Sequence, residues 1–160
     1  MYLSTFKNRP TFIYQNHPVR AAGILPYYVL NNQRIYLFRI VDQNRATDIG
    51  GCTDNKDKDY FDTACREAAE ETNGHFFSIN DSIEVCQHKF LTLLKNIQYE
   101  IKYDKKGKYV LFEIEVSKKY SRNMKRFGKI ESTDKMKHYY IWKSLDKIYN
   151  IHPRLKNILK

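Results

Sequence analysis

Six consecutive residues constrain this chain more than any others: Arg66-Glu67-Ala68-Ala69-Glu70-Glu71. They lie between a glycine pair, Gly50-Gly51, and a later glycine, Gly74. On a helix, Glu67 stands three residues from Glu70 and four from Glu71, so the acids project from one side. The opposite side is apolar or small. Phe61, Ala64, Cys65, Ala68, Ala69 and Thr72 follow helical spacing and form one buried stripe. Asp59 is the expected N-cap, with Asp62 completing a partial capping box. Asn73-Gly74 supplies a left-handed stop. The small residues at 64, 65, 68 and 69 let the helix lie close on a sheet, which leaves the acidic edge facing a cleft. Like charges so crowded repel one another. A divalent cation relieves that repulsion, since hard cations take oxygen ligands. A solvated, Glu-rich surface helix is the plainer alternative.

Residues 51–74 resemble the Nudix box of the Nudix hydrolases, G-x5-E-x7-R-E-U-x-E-E-x-G-U, in which U is apolar. Arg66, Glu67, Glu70 and Glu71 match its R-E-x-x-E-E core, and Ala68 takes the first U. Asp48-Ile49-Gly50-Gly51 resembles the strand end and glycine loop that open the box. The chain also departs from the pattern. Gly51 to Arg66 is one residue longer, and the upstream Glu is missing, with Asp57, Lys58 and Asp59 near its place. Glu71 to Gly74 is one residue longer, with Asn73 where the pattern has Gly.

The resemblance implies an α/β fold, a Nudix-type α/β/α sandwich with a mixed sheet, over nearly the whole chain. It implies hydrolysis of a pyrophosphate bond in a nucleoside diphosphate linked to another group. Mg2+ or Mn2+ held by Glu67, Glu70 and Glu71 would be the cofactor, one carboxylate serving as general base. Arg66 would orient a glutamate, Glu70 being its i, i+4 partner. Gly50 and Gly51 would turn the backbone tightly near the phosphates. Glu131, in a late loop, would add a metal ligand or base. Glu113 and Glu115 share one face of a strand. They would either complete the metal site from the sheet or form an outward polar face.

Composition fits one domain over residues 1–160. A chain of 160 residues with 42% hydrophobic residues can bury a proper core. No apolar run approaches the ~20 residues that span a bilayer, and the mixed, polar first ten residues carry no secretory signal. Cys52, Cys65 and Cys86 lack metal-ligand spacing and suggest reduced thiols in the cytoplasm. His17, His75, His88, His138 and His152 show no zinc pattern.

Along the chain, residues 19–30 read as a strand interrupted by Pro26, and Asn31-Asn32 as a turn into a second strand at 34–40. The glycine loop and acidic helix follow. Residues 84–94 are expected to contain a further strand. Ile97, Tyr99, Ile101 and Tyr103 alternate at period two. Residues 104–107 are a turn, 108–116 a strand, 138–143 a last strand, and 145–149 and 153–160 short helices.

The net charge of +10 favours a polyanionic partner, nucleic acid or a phosphate-rich small molecule. Residues 117–129 hold Lys118, Lys119, Arg122, Lys125, Arg126 and Lys129 without an acid, interleaved with Tyr120 and Phe127. Lysine and arginine neutralise phosphates while aromatics stack on bases, so this reads as an RNA-contacting loop. Arg39 is a further candidate for a substrate phosphate, as are Arg20 and Lys89. Among substrates, the leading reading is the mRNA 5′ cap. The charge, the basic aromatic loop and a similarity of the DIGG and REAAEET segments to Nudix proteins of large DNA viruses, some of them decapping enzymes, motivate it. A small-molecule pyrophosphatase acting on dinucleoside polyphosphates, diphosphoinositol polyphosphates or nucleotide sugars stays open. So does a catalytically inactive Nudix-fold module that binds nucleotide or RNA. The sequence sets no oligomeric state.

Overall fold

Asn31 and Asn32 both adopt left-handed backbone, at φ 52° and 63°, as the tightest hairpin turn requires. They join β3 (Ala21–Leu30) to β4 (Gln33–Val41), with Leu30 opposite Gln33. The chain is known from a computed structural model that describes residues 8–127 and 139–159. Before β3, a small hairpin forms from β1 (Phe12–Tyr14) and β2 (His17–Val19), a feature absent from the sequence reading. After β4 come β5 (Arg45–Thr47), β6 (Ile49–Cys52) and α1 (Tyr60–Glu71). Then follow α2 (Ile83–Asn96), β7 (Tyr99–Asp104), β8 (Tyr109–Glu115), β9 (Tyr139–Ser144) and α3 (Pro153–Ile158).

Seven of these strands make one mixed sheet in the order β5-β4-β3-β8-β7, with β6 on β3 and β9 on β4. β3 and β8 run parallel, and the remaining pairs are antiparallel. Pro26 does not interrupt β3. The Tyr27 carbonyl accepts from Val116 N on the β8 side, so the Pro26 nitrogen points to the other edge. There, β6 covers residues 21–24 and β4 covers 27–30, and Pro26 falls in the gap between them, where no donor is needed.

Residues 84–94 form a helix, not a strand. Ser82 caps α2 by accepting from Val85 N, and Cys86, Phe90 and Leu94 are buried one turn apart. The apolar run from Phe90 to Leu94 hid that spacing.

Helices cover both faces of the sheet, which makes the architecture an α/β/α sandwich. On one face, Ala64, Cys65, Ala68 and Ala69 of α1 pack with Ala22, Ile24, Ile49, Val110 and Phe112, joined by Cys86 and Phe90 of α2. On the other, Leu155 of α3 is fully buried among Leu25, Phe38, Ile40 and Leu111. Among the described residues, no helix is long and apolar enough to cross a membrane.

Candidate active site

Asp59 caps α1, its Oδ1 accepting from Asp62 N at 2.8 Å, and Asn73 and Gly74 end the helix at φ 53° and 77°. The alanine stripe sets α1 against β3 and β6, so its polar edge lies along β6. Arg66 organises that edge. Its Nε donates to Asp57 Oδ1 at 2.8 Å and its Nη2 to Asp57 Oδ2 at 3.1 Å, a bidentate pair. Nη2 also donates to the Cys52 carbonyl at 2.8 Å, which ties the helix to the end of β6. Nη1 is shared between Glu67 Oε1 at 3.2 Å and Glu70 Oε1 at 2.9 Å. The i, i+4 pair expected for Arg66 and Glu70 is therefore present, and two carboxylates converge on one nitrogen.

Asp57 stands six residues after Gly51, where the resembled pattern has its upstream glutamate. Thr63 Oγ1 donates to it at 2.8 Å and Asp54 N at 2.9 Å. Burial would raise its pKa, but Arg66, Thr63 and the Asp54 amide outweigh burial and hold it below the usual carboxylate value.

Glu67 has the opposite balance. Its side chain is 16% exposed. Gly51 makes room for it, since a Cβ at that position would meet the Glu67 carboxyl carbon at 2.5 Å. Burial pushes the Glu67 pKa from 4.5 up to about 7, with Glu70 and Asp57 adding to the rise and Arg66 opposing it. Gly50 and Gly51 do not make a tight turn. Both are extended residues of β6, paired with Gly23 and Ala22. Gly50 faces the other way, where a Cβ would collide with the Tyr109 hydroxyl.

Glu71 lies against the sheet. Its Oε2 is 3.1 Å from Arg39 Nε of β4, and both side chains are about nine-tenths buried. Tyr140 of β9 donates its hydroxyl to the Glu71 carbonyl at 2.6 Å. Arg39, expected at a substrate phosphate, is thus engaged by the third glutamate of the helix. Among the described residues, no three His, Cys, Asp or Glu side chains converge closely enough to hold a metal together. Glu67 and Glu70 converge as a pair. An all-oxygen pair with one poorly compensated, buried member suits a hard cation, because magnesium is commonly held through one or two carboxylates and completed by waters and substrate phosphates. Glu131 lies outside the described residues, as does Lys129.

Lys118, Lys119, Lys125 and Arg126 belong to a 3-10 helix, Lys118–Arg126, rather than to an open loop. Its end is pinned just beyond α1. Asn73 Nδ2 donates to the Phe127 carbonyl, and His75 Nδ1 lies 2.8 Å from the Arg126 carbonyl. The basic segment therefore ends where the acidic helix stops. Two other cations named from sequence are engaged within the chain. Arg20 Nη1 donates to the Arg9 carbonyl at 2.7 Å, and Lys89 pairs with Asp81 at 2.7 Å.

The opposite face holds two polar clusters that the sequence did not announce. Val110, Phe112 and Ile114 of β8 face α1, so Glu113 faces away from the acidic helix by simple alternation. Arg34 Nη1 donates to Glu113 Oε1 at 2.6 Å, Lys102 Nζ lies 3.1 Å from Oε2, and the Tyr36 hydroxyl also donates to it. Glu115 is exposed. Neither acid joins Glu67. Nearby, Arg154 of α3 donates to Asp48 Oδ1 at 2.8 Å and stacks 3.9 Å over the Tyr109 ring, whose hydroxyl donates to Asp48.

Solved structures similar to this one include the NUDIX domain of Shewanella oneidensis NrtR complexed with ADP ribose. It is 12% identical, with 98% of this chain and 94% of that chain covered and a TM-score of 0.48. A C. elegans Ap4A hydrolase binary complex matches at 20% identity over 80% of this chain and 81% of its own, TM-score 0.39. The C. elegans Ap4A hydrolase matches at 19% identity over the same shares, TM-score 0.38. No family model and no curated protein matches the sequence. At identities this low and TM-scores below one half, these likenesses do not bear on the reaction, and the functional reading rests on the site itself.

Proposed function

We propose that the chain is a divalent-metal-dependent Nudix pyrophosphohydrolase whose substrate is a nucleoside diphosphate linked to another group, the mRNA 5′ cap in the leading case. The observation that carries this reading is Glu67. It is a buried carboxylate held against Gly51, converging with Glu70, and left with a pKa of about 7 by surroundings that do not satisfy its charge. Such an arrangement costs stability, and a bound cation would offset that cost.

In this reading Glu67 and Glu70 hold Mg2+ or Mn2+, and Glu71 joins them on release from Arg39. The cation, when bound, neutralises charge building on phosphoryl oxygens and acidifies a water. Arg66, locked by Asp57 and Cys52, fixes the rotamers of both glutamates. Arg39, once released, is placed to meet a substrate phosphate. Lys118, Lys119, Lys125 and Arg126 contact the phosphates of an RNA strand. The pairing of Glu71 with Arg39 favours one second reading, a nucleotide-binding module without turnover.

Product analysis by mass spectrometry separates these outcomes. The protein meets cap-labelled RNA, free cap analogue, a dinucleoside polyphosphate and a diphosphoinositol phosphate, with magnesium or manganese. Release of methylated GDP from RNA supports decapping. Turnover of only the small molecules moves the substrate to free pyrophosphates. No turnover of any of them contradicts the enzyme reading and leaves the binding module.

A further inference from the structure

The exposed side of α2 carries His88, Thr92 and Asn96, spaced one turn apart in a single stripe. Facing them, the 3-10 helix presents Lys119, Tyr120 and Asn123. A pocket of about 790 Å3 lies between, also lined by Phe77. Among the described residues, no acid lines it. The Phe77 and Tyr120 rings meet edge to face at 5.2 Å, both half-buried, and the Lys119 ammonium sits 5.1 Å over the Tyr120 ring. Cations, planar apolar faces and amide or hydroxyl groups are thus gathered in one concavity that the acidic helix does not share.

We propose that this pocket seats one nucleotide of a single-stranded nucleic acid. The phosphate would meet Lys119 and His88, the base would lie on the Tyr120 and Phe77 side, and Thr92 and Asn96 would hydrogen-bond the sugar or base edge. Charge argues for a strand rather than a neutral ligand. The 3-10 helix also carries Lys118, Arg122, Lys125 and Arg126, with no acid from end to end. Place argues the same way. The helix spans roughly 18 Å at about 2 Å per residue. Its beginning lines the pocket, and its end is pinned to Asn73 and His75 beside the last glutamates of α1. A strand whose end lies at those glutamates has a continuous basic track leading to the pocket.

The inference rests on the nucleic-acid side of the proposed function and is independent of its cation site. The test is fluorescence anisotropy of a short labelled oligouridylate and an oligothymidylate in EDTA, where no turnover occurs. Thr92 is exposed, so charge can be placed there without disturbing the core. Thr92→Glu weakens binding and Thr92→Lys tightens it, each by about fivefold for one charge at contact distance. The log–log salt slope moves by about 0.7 in opposite directions. Preference for one oligomer names the strand. Shifts of the same sign in both variants, or no shift, overturn the proposal, as does binding of uridine monophosphate as tight as that of the strand. A Glu67→Gln protein that loses turnover but keeps this charge response separates the pocket from the metal site.

Discussion

Two buried glutamates on opposite faces of one sheet differ in what surrounds them. Glu113 is 1% exposed and meets Arg34, Lys102 and Tyr36. Burial alone would raise its pKa, yet those partners hold it below the usual carboxylate value. Glu67 is less deeply buried, at 16%, and shares one arginine nitrogen with Glu70. Its pKa is pushed up to about 7. Burial therefore does not by itself set the charge balance of these two acids. Compensation does: Glu113 has two cations and a hydroxyl to itself, whereas Glu67 shares one guanidinium with Glu70.

The largest effect expected from breaking this contrast is on turnover. Glu67→Gln and Glu71→Gln each abolish pyrophosphate hydrolysis with the fold intact, whereas Glu113→Gln leaves hydrolysis within a few-fold. Initial rates with manganese check this, and full activity in either of the first two variants removes the cation site. Next comes stability. Glu113→Gln leaves Arg34 and Lys102 with Glu100 as their remaining anion and destabilises the protein by on the order of 2 kcal/mol, read from urea unfolding.

Glu67→Gln does the reverse in the absence of metal. A carboxyl whose folded pKa lies above its unfolded value binds more protons when folded, so stability falls as pH rises from 4.5 to about 7. At pH 8 in EDTA the neutral variant is more stable than the wild type by up to about 3 kcal/mol, and at pH 4 the two converge. Equal stability at both pH values denies that Glu67 is undercompensated. Asp57→Asn has a smaller effect on the site. It loosens Arg66 without touching a glutamate and lowers kcat about 10- to 100-fold, the range seen when supporting contacts of a metal site are lost. Smallest is the response of the basic helix. Neutralising Lys118, Lys119, Lys125 and Arg126 together flattens the salt slope of RNA binding by about 3. An unaltered slope makes that helix a bystander.

Much of the site was legible because it is local. The cap at Asp59, the stop at Asn73-Gly74, the alanine stripe and the Arg66–Glu70 pair all follow from helical spacing within a few residues. Asp57 also stands at the G-x5-E spacing from Gly51, so a shorter acid fills that place and the extra residue falls after it. What escaped was set by pairing across the sheet. Arg39 reaches Glu71, and Arg154 reaches Asp48, only because strands and helices far apart in sequence are brought together. The glycines misled in a different way. Gly50 and Gly51 are needed for space, one for the Tyr109 hydroxyl and one for the Glu67 carboxylate, and not for a turn. The strand expected at residues 84–94 failed because a short apolar run reads alike in a strand and in a buried helix. The cap at Ser82 was the signal that could have decided it.

In the proposed site, a bound cation offsets the cost of burying Glu67. The most direct test is thermal unfolding at pH 8 with and without manganese, in wild type, Glu67→Gln and Glu113→Gln. Binding to the folded state alone raises Tm with the logarithm of the ligand's excess over its Kd. Manganese is expected to raise the Tm of the wild type and of Glu113→Gln and to leave that of Glu67→Gln unmoved. An equal rise in Glu67→Gln, or no rise in the wild type, would contradict it.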